Sequence, residues 1–319
     1  MRLRAALTLG LVAGLVAGIV TAYLFPPIDD FDPSNPFWNG LSRLSSELDL
    51  TPISSLTSGL AKVDPSRSAL LIVGPEAPFS RAEARAVSRF VRGGGLLLLA
   101  DDFGSGNQLL KLMGLKVRIT EGLLLDPLFK HRASPLPKVR ARGLKLVLNY
   151  AAALAGSGFE VLAESSSFSF LDSNLNLRFD SGERKGPFPV AARVPYGAGE
   201  VVVVSDSSLF LNSMLGLGDN LRFARALVGG RGALLDAGHW RRGALASFKG
   251  AVRSALTALR APEARYFLLV GALTLIYAVR LELAEPGGVS AVEEVLRRHP
   301  DWDREVLERL EDELGGQRR

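Results

Sequence analysis

The sequence predicts an α/β protein built on a parallel sheet and flanked by two transmembrane helices, and three observations carry that prediction. Short apolar runs such as ALLIV (69–73) and LLLLA (96–100) end at Gly, Pro or Asp, as strands buried on both faces do. Stretches with helical spacing follow them, so strand and helix alternate. Two uncharged apolar stretches, 5–25 and 266–279, bracket that alternation.

Residues 5–25, AALTLGLVAGLVAGIVTAYLF, match the roughly 20 apolar residues that cross a bilayer core as a helix. Arg2 and Arg4 precede the stretch and Asp29, Asp30 and Asp32 follow it, which orients the N-terminus toward the cytosol. A cleaved signal peptide is the rival reading. The long apolar run and the lack of a small-x-small cleavage site favour an anchor that stays. The second stretch, YFLLVGALTLIYAV, lies between Arg265 and Arg280 and is extended by Leu281 and Leu283, with Tyr266 and Tyr277 placed as interface anchors. The expected organisation is a transmembrane anchor (1–25), an extracytosolic α/β domain (26–237), a basic amphipathic juxtamembrane helix (238–263), a second span (264–283) and an acidic cytosolic helical tail (284–319). Both termini are then cytosolic and the protein resides in the cell membrane.

Within the central domain, ALLIV closes at Gly74 and Pro75, and Ser80 with Glu83 forms a capping-box pattern. Ala84, Val87, Phe90 and Val91 continue at helical spacing until Gly93, Gly94 and Gly95 end the helix. Leu96 then opens the next strand, giving a βαβ unit with parallel strands. The same grammar recurs at EVVVVS (200–205), followed by Asp206, a helix from about Ser208, and another opened by Asp219 or Asn220.

Ligands of open parallel sheets gather beyond the carboxyl ends of the strands, where Asp101, Asp102 and Asp206 stand. With Asn107 and Asn212 they form the candidate ligand-binding set. The turn GSGN (104–107) lacks the third glycine of a dinucleotide fingerprint and the GKS of a P-loop. The competing explanation is structural: Asp101 or Asp102 caps the next helix and the glycines permit a tight turn. A second candidate is SFLDSNLNLRFDSGE (169–183). Counting Asp172 as position one, Asn174, Asn176, Asp180 and Glu183 fall at three, five, nine and twelve, with the Arg178 carbonyl at seven, as in a calcium loop. Leu177 occupies position six, where such loops need a glycine for the sharp turn. A polar hairpin rich in Asn and Asp explains the same residues.

LIVGPEAPFSRAEARAVSRFVRGGGLLLLADDFGSGNQLL and GAGEVVVVSDSSLFLNSMLGLGDNLRFARALV, through the runs DDFG and DSSLFLN, resemble an uncharacterised archaeal membrane-protein family carrying a domain of unknown function. That domain is similar to flavodoxin-like, class I glutamine-amidotransferase-like folds and to auxiliary subunits of gliding-motility-type ABC systems. The resemblance covers roughly residues 69–230. It implies a flavodoxin-like sheet and an accessory role beside an ATPase or transport system.

Amidotransferases attack the amide with a cysteine thiolate, and this chain has no cysteine. His131, His239 and His299 adjoin no serine elbow and are expected in exposed loops. The chain therefore reads as a non-catalytic binding or assembly protein, a pseudoenzyme. A carboxylate- or metal-dependent hydrolase using Asp101, Asp102 and Asp206 is the alternative. The net charge of +5 comes from scattered Lys and Arg, which excludes a nucleic-acid footprint. Expected partners are membrane lipid, met by the basic helix with Leu245, Phe248, Val252, Leu256 and Leu259 at helical spacing, and membrane-complex proteins met by the tail. The tail, 290–314, is broken by His299 and Pro300 into a helical hairpin. Calcium is the one cofactor expected.

Overall fold

A computed structural model describes residues 2–241, 243–258, 266–267, 269–274, 276–277 and 291–316. In chain order the helices are α1 (Arg2–Leu24), α2 (Ser42–Leu48), α3 (Leu56–Leu60), α4 (Arg81–Arg92), α5 (Gly106–Leu112), α6 (Asn220–Val228), α7 (Ala244–Ala258), α8 (Ala291–Arg298) and α9 (Arg304–Gly316). The strands are β1 (Thr51–Ile53), β2 (Ser68–Val73), β3 (Leu96–Ala100), β4 (Arg118–Ile119), β5 (Leu123–Leu125), β6 (Lys138–Ala141), β7 (Leu144–Val147), β8 (Leu154–Ala155), β9 (Glu160–Glu164), β10 (Phe170–Asp172), β11 (Pro189–Tyr196), β12 (Gly199–Val204) and β13 (Gly232–Asp236).

The chain divides into Met1–Lys249 and Gly250–Arg319. In the first unit the main sheet has nine strands in the order β1-β13-β2-β3-β12-β11-β9-β6-β7. β1, β13, β2, β3 and β12 run parallel, with Leu98 opposite both Leu71 and Val202. From β12 outward the pairing is antiparallel, so the sheet is mixed where a purely parallel one was expected. The insertion between β3 and β12 supplies those extra strands.

Alternation along the strands explains why both faces are covered. Leu70, Ile72, Leu97, Leu99, Val201 and Val203 face one layer with Leu56 of α3 and Val87, Phe90 and Val91 of α4. Leu71, Val73, Leu96, Leu98, Val202 and Val204 face the other with Leu44 of α2 and Phe223, Leu227 and Val228 of α6. Every residue of β2 and β3 is buried, as their continuous apolar runs require. The capping box forms: the Ser80 hydroxyl oxygen accepts from Glu83 N–H at 3.2 Å and Glu83 Oε2 accepts from Ser80 N–H at 2.8 Å. A helix from Ser208 does not develop. That stretch makes one 3₁₀ turn, Ser208–Phe210, and Leu211 turns extended, so the next helix waits for Asn220.

Among the described residues no helix is long and apolar enough to cross a membrane. This corrects the expectation of two flanking transmembrane helices, and with it the cell-membrane location with both termini cytosolic. α1 runs from Arg2 to Leu24 and carries Arg2 and Arg4 in its first turn. Of the second expected span, residues 264–265, 268, 275 and 278–283 lie outside the described residues, as do 259–263 of the expected basic helix. In the second unit α8 and α9 pack together, and the His299 ring stacks on Trp302 between them, centroids 4.6 Å apart.

Candidate functional site

The carboxyl ends of the parallel strands carry the candidate acids, and the loop after β3 shows how they are used. Asp101 is buried. Its Oδ1 accepts from the N–H groups of Asp102 and Gly104, each at 2.9 Å, and its Oδ2 accepts from Gly106 N–H at 2.7 Å. Both oxygens therefore close the turn into α5. The glycines follow from that closure: a Cβ at Gly104 would stand 2.2 Å from the Pro75 carbonyl oxygen, and one at Gly106 would stand 2.6 Å from Asp101 Oδ2. Ser105 Oγ donates to the Ala77 carbonyl at 2.7 Å and fastens the same turn to the loop after β2. The glycine-rich turn thus wraps a carboxylate of its own chain.

Asp206, at the end of β12, is fully buried and accepts from Asn149 N–H at 2.7 Å and Leu209 N–H at 3.1 Å. Asp102 accepts from Phe103 N–H and from the Ser207 hydroxyl, both at 3.1 Å. Burial pushes the Asp101 carboxyl up to about 6 against its backbone donors, and burial together with the negative Asp102 pushes Asp206 up to about 8. Burial also raises Asp102. The structure therefore brings the three carboxylates into one electrostatic neighbourhood, where each meets backbone N–H groups.

The two asparagines do other work. Asn107 forms a two-way bridge with Ile119, accepting from its N–H at 2.9 Å and donating to its carbonyl at 2.8 Å, which fixes β4. Asn212 Nδ2 donates to the Asn35 and Phe37 carbonyls at 3.0 and 2.7 Å, and its Oδ1 accepts from Arg43 N–H at 2.9 Å. It staples the 28–43 segment to the strand-end loops.

In the 172–183 loop, Leu177 takes the left-handed bend itself, with φ of 63°, and Leu175 does the same at 61°. Asp172 Oδ2 accepts from Leu177 N–H at 2.7 Å and so holds that bend. Asn174 and Asn176 donate through Nδ2 to Asp180 Oδ2 at 2.7 and 2.6 Å. Glu183 accepts from Ser173 N–H at 2.9 Å and Asp180 N–H at 3.1 Å. Asn176 Oδ1 accepts from Arg178 N–H at 2.8 Å. The oxygens are turned on the loop's own donors, and among the described residues no group of three or more His, Asp or Glu is arranged to hold a metal.

Sequence reasoning missed a third constellation at the end of β13. His239 is buried, not exposed: its Nδ1 lies 2.7 Å from Asp236 Oδ2, its Nε2 lies 3.6 Å from Glu83 Oε1, and its ring stacks on Phe79 at 4.0 Å. The available signal was LLDAGHW, in which a strand-terminal acid stands three residues before a histidine across a glycine turn. Glu83, far away in sequence, gave none.

The family model described as Domain of unknown function (DUF4350) matches residues 33–228, well over half of the chain. The chain belongs to this family. The matched DUF4350 region contains Asp101, Asp102, Asp206 and the 172–183 loop, while Asp236 and His239 fall just beyond it. The archaeal, membrane and gliding-motility associations rest on the sequence resemblance alone. No curated protein matches. Among solved structures, the chain is similar to the "mmIFT52 N-terminal domain" at TM-score 0.42 and 17% identity, covering 54% of this chain and 80% of that one. It is also similar to a beta-galactosidase from Bacillus circulans sp. alkalophilus (TM-score 0.34, 19% identity, 53% and 23% covered). A third is alpha-L-fucosidase isoenzyme 2 from Paenibacillus thiaminolyticus (TM-score 0.30, 19% identity, 53% and 26% covered). The chain spans about a quarter of each of these two glycosidases.

Proposed function

We propose that this DUF4350 protein is a non-catalytic binding or assembly protein. The observation that carries this reading is the use of the strand-end acids: Asp101 and Asp206 direct both oxygens at backbone N–H groups. A general acid or base must reach a substrate proton, and a carboxylate closed on its own loop does not. The absence of cysteine from the chain leaves no thiolate for amidotransferase chemistry. The loops that the acids fix carry exposed aromatic residues, Phe103 beside Asp102 and Tyr150 beside Asn149, and the segment held by Asn212 carries exposed Trp38, whose carbonyl accepts from Ser213 N–H. Tyr and Trp are enriched where proteins meet, because they present large rigid contact area with a polar tip. They are the candidate contacts for a protein partner.

The test is a hydrolysis panel of ester, amide, glycoside and phosphate ester substrates, with and without magnesium or manganese, on purified wild type and Asp102→Asn. The reading expects no turnover above buffer in either. Turnover by wild type that Asp102→Asn abolishes while folding normally would establish the carboxylate-dependent hydrolase instead.

A further inference from the structure

The segment that leaves β13, residues 237–241, lies as a strap over the carboxyl ends of β1 and β2. Ala237 N–H donates to the carbonyl of Ile53, the last residue of β1, at 2.8 Å. The His239 carbonyl accepts from the N–H groups of Glu76 and Ala77 at 2.8 and 3.0 Å. Trp240 Nε1 donates to the carbonyl of Val73, the last residue of β2, at 2.9 Å. Gly243 N–H donates to Asp29 Oδ2 at 3.2 Å. Among the strap's described residues the one buried ionisable side chain is His239.

Among the described residues, four stand at or beside that imidazole: Asp236, Glu83, Phe79 and Glu76. Asp236, at the end of β13, meets Nδ1, and Glu83, on the first turn of α4, meets Nε2. Phe79 covers the ring face. Glu76, from the loop after β2, contributes its backbone N–H to the His239 carbonyl and pairs its carboxylate with Arg241 at 3.4 Å. A neutral imidazole has one N–H. With that proton on Nδ1, serving Asp236, the Nε2 lone pair faces the Glu83 carboxylate. Only the imidazolium presents an N–H to both acids.

We infer that His239 is a proton-operated clasp: protonated, it fastens the 237–241 strap to α4 through Glu83, and neutral, it holds Asp236 alone and frees the strap from α4. The clasp is distinct from the acids of the proposed function, which lie beyond β3 and β12. Its direction follows from the environment. Burial by itself would lower the His239 pKa, but the hydrogen bond and charge of Asp236, followed by Glu83, outweigh burial and hold it above the usual 6.5. A raised folded-state pKa means that the fastening is complete below 6.5 and is lost as pH rises through the folded value.

The experiment uses the full chain with Trp38→Phe and Trp302→Phe, which leaves Trp240 as the sole tryptophan, excited at wavelengths that the chain's five tyrosines do not absorb. His239 protonation is followed by NMR in the same samples. The expected result is a change in Trp240 emission whose midpoint matches the His239 titration and lies above 6.5. Glu83→Gln retains a side chain able to cap α4 but removes its charge. It should weaken proton binding at His239 roughly threefold, moving both midpoints down by about half a pH unit. His239→Gln should abolish the emission change. If Trp240 emission stays flat while His239 titrates, or if Glu83→Gln leaves the midpoint in place, the clasp is refuted. Should His239→Gln fail to fold, the Glu83→Gln comparison decides alone.

Discussion

Two strand ends in one sheet handle a buried acid in different ways. At β3 and β12 the acids are answered by backbone: Asp101 takes three N–H groups and Asp206 takes two. At β13 the acid is answered mainly by a side chain that can change charge, His239. Backbone donors cannot titrate, so the first region is a closure whose donors are fixed and only its acids change charge. In the second region the acid's partner titrates as well. Both pull stability in the same direction with pH, in different windows. Asp101 and Asp206 have raised folded pKa values, so their contribution is complete below about 3.8 and is lost as pH rises through about 6 and about 8. His239 loses its contribution only above 6.5.

The largest expected effect breaks the fixed closure. Asp206→Ala leaves the buried N–H of Leu209 and the partly buried N–H of Asn149 without an acceptor, and should cost about 2–4 kcal/mol in denaturant unfolding. A loss below about 1 kcal/mol would remove Asp206 from the closure. Next comes the titrating end: His239→Gln should cost about 1–2 kcal/mol near pH 6 and less near pH 8, since only the protonated form engages both acids. An equal loss at both pH values would make His239 a packing residue alone.

The contrast between the two ends also explains how much was legible in the sequence. β2, α4, β3 and β12 declared themselves because their apolar runs and capping residues are local. Which of Asp101 and Asp102 closes the turn was not readable, since rotating one residue along a loop exchanges their roles. The antiparallel strands of the insertion were invisible because most are short, as in β4 and β8, and their pairing is long-range. β1 was hidden for a similar reason: TPI contains a proline and sits at the sheet edge, where proline is tolerated. The His239 cluster depends on Glu83, which no spacing rule connects to it. The membrane expectation failed because it weighed apolar composition at both ends of the chain without a described helix to match.

A smaller effect concerns the loop that the sequence singled out. Leu177 supplies the bend normally given to glycine, so calcium remains worth testing there. Calcium at ten times its dissociation constant should add no more than about 1.4 kcal/mol, and Glu183→Gln should remove the gain. Equal, absent shifts in calorimetric melts against chelator would leave Asp172, Asn174, Asn176, Asp180 and Glu183 as a self-bonded hairpin. The smallest effect belongs to the exposed aromatics: Trp38→Ala and Phe103→Ala, at 70% and 60% exposure, should change stability by less than about 0.5 kcal/mol. A loss beyond that would make them part of the fold and disqualify them as partner contacts.

The central claim is that the acids at the strand ends are structural, and Asp101→Ala tests it most directly. Its unfolding free energy should be measured beside that of Phe103→Ala, two residues away, in the same buffer as the hydrolysis panel. The account predicts a loss of about 1–3 kcal/mol for Asp101→Ala, because three N–H groups, that of Gly106 buried and those of Asp102 and Gly104 partly so, lose their acceptor, and almost none for Phe103→Ala. An Asp101→Ala protein as stable as wild type, but stripped of a hydrolytic activity that wild type possesses, would contradict it.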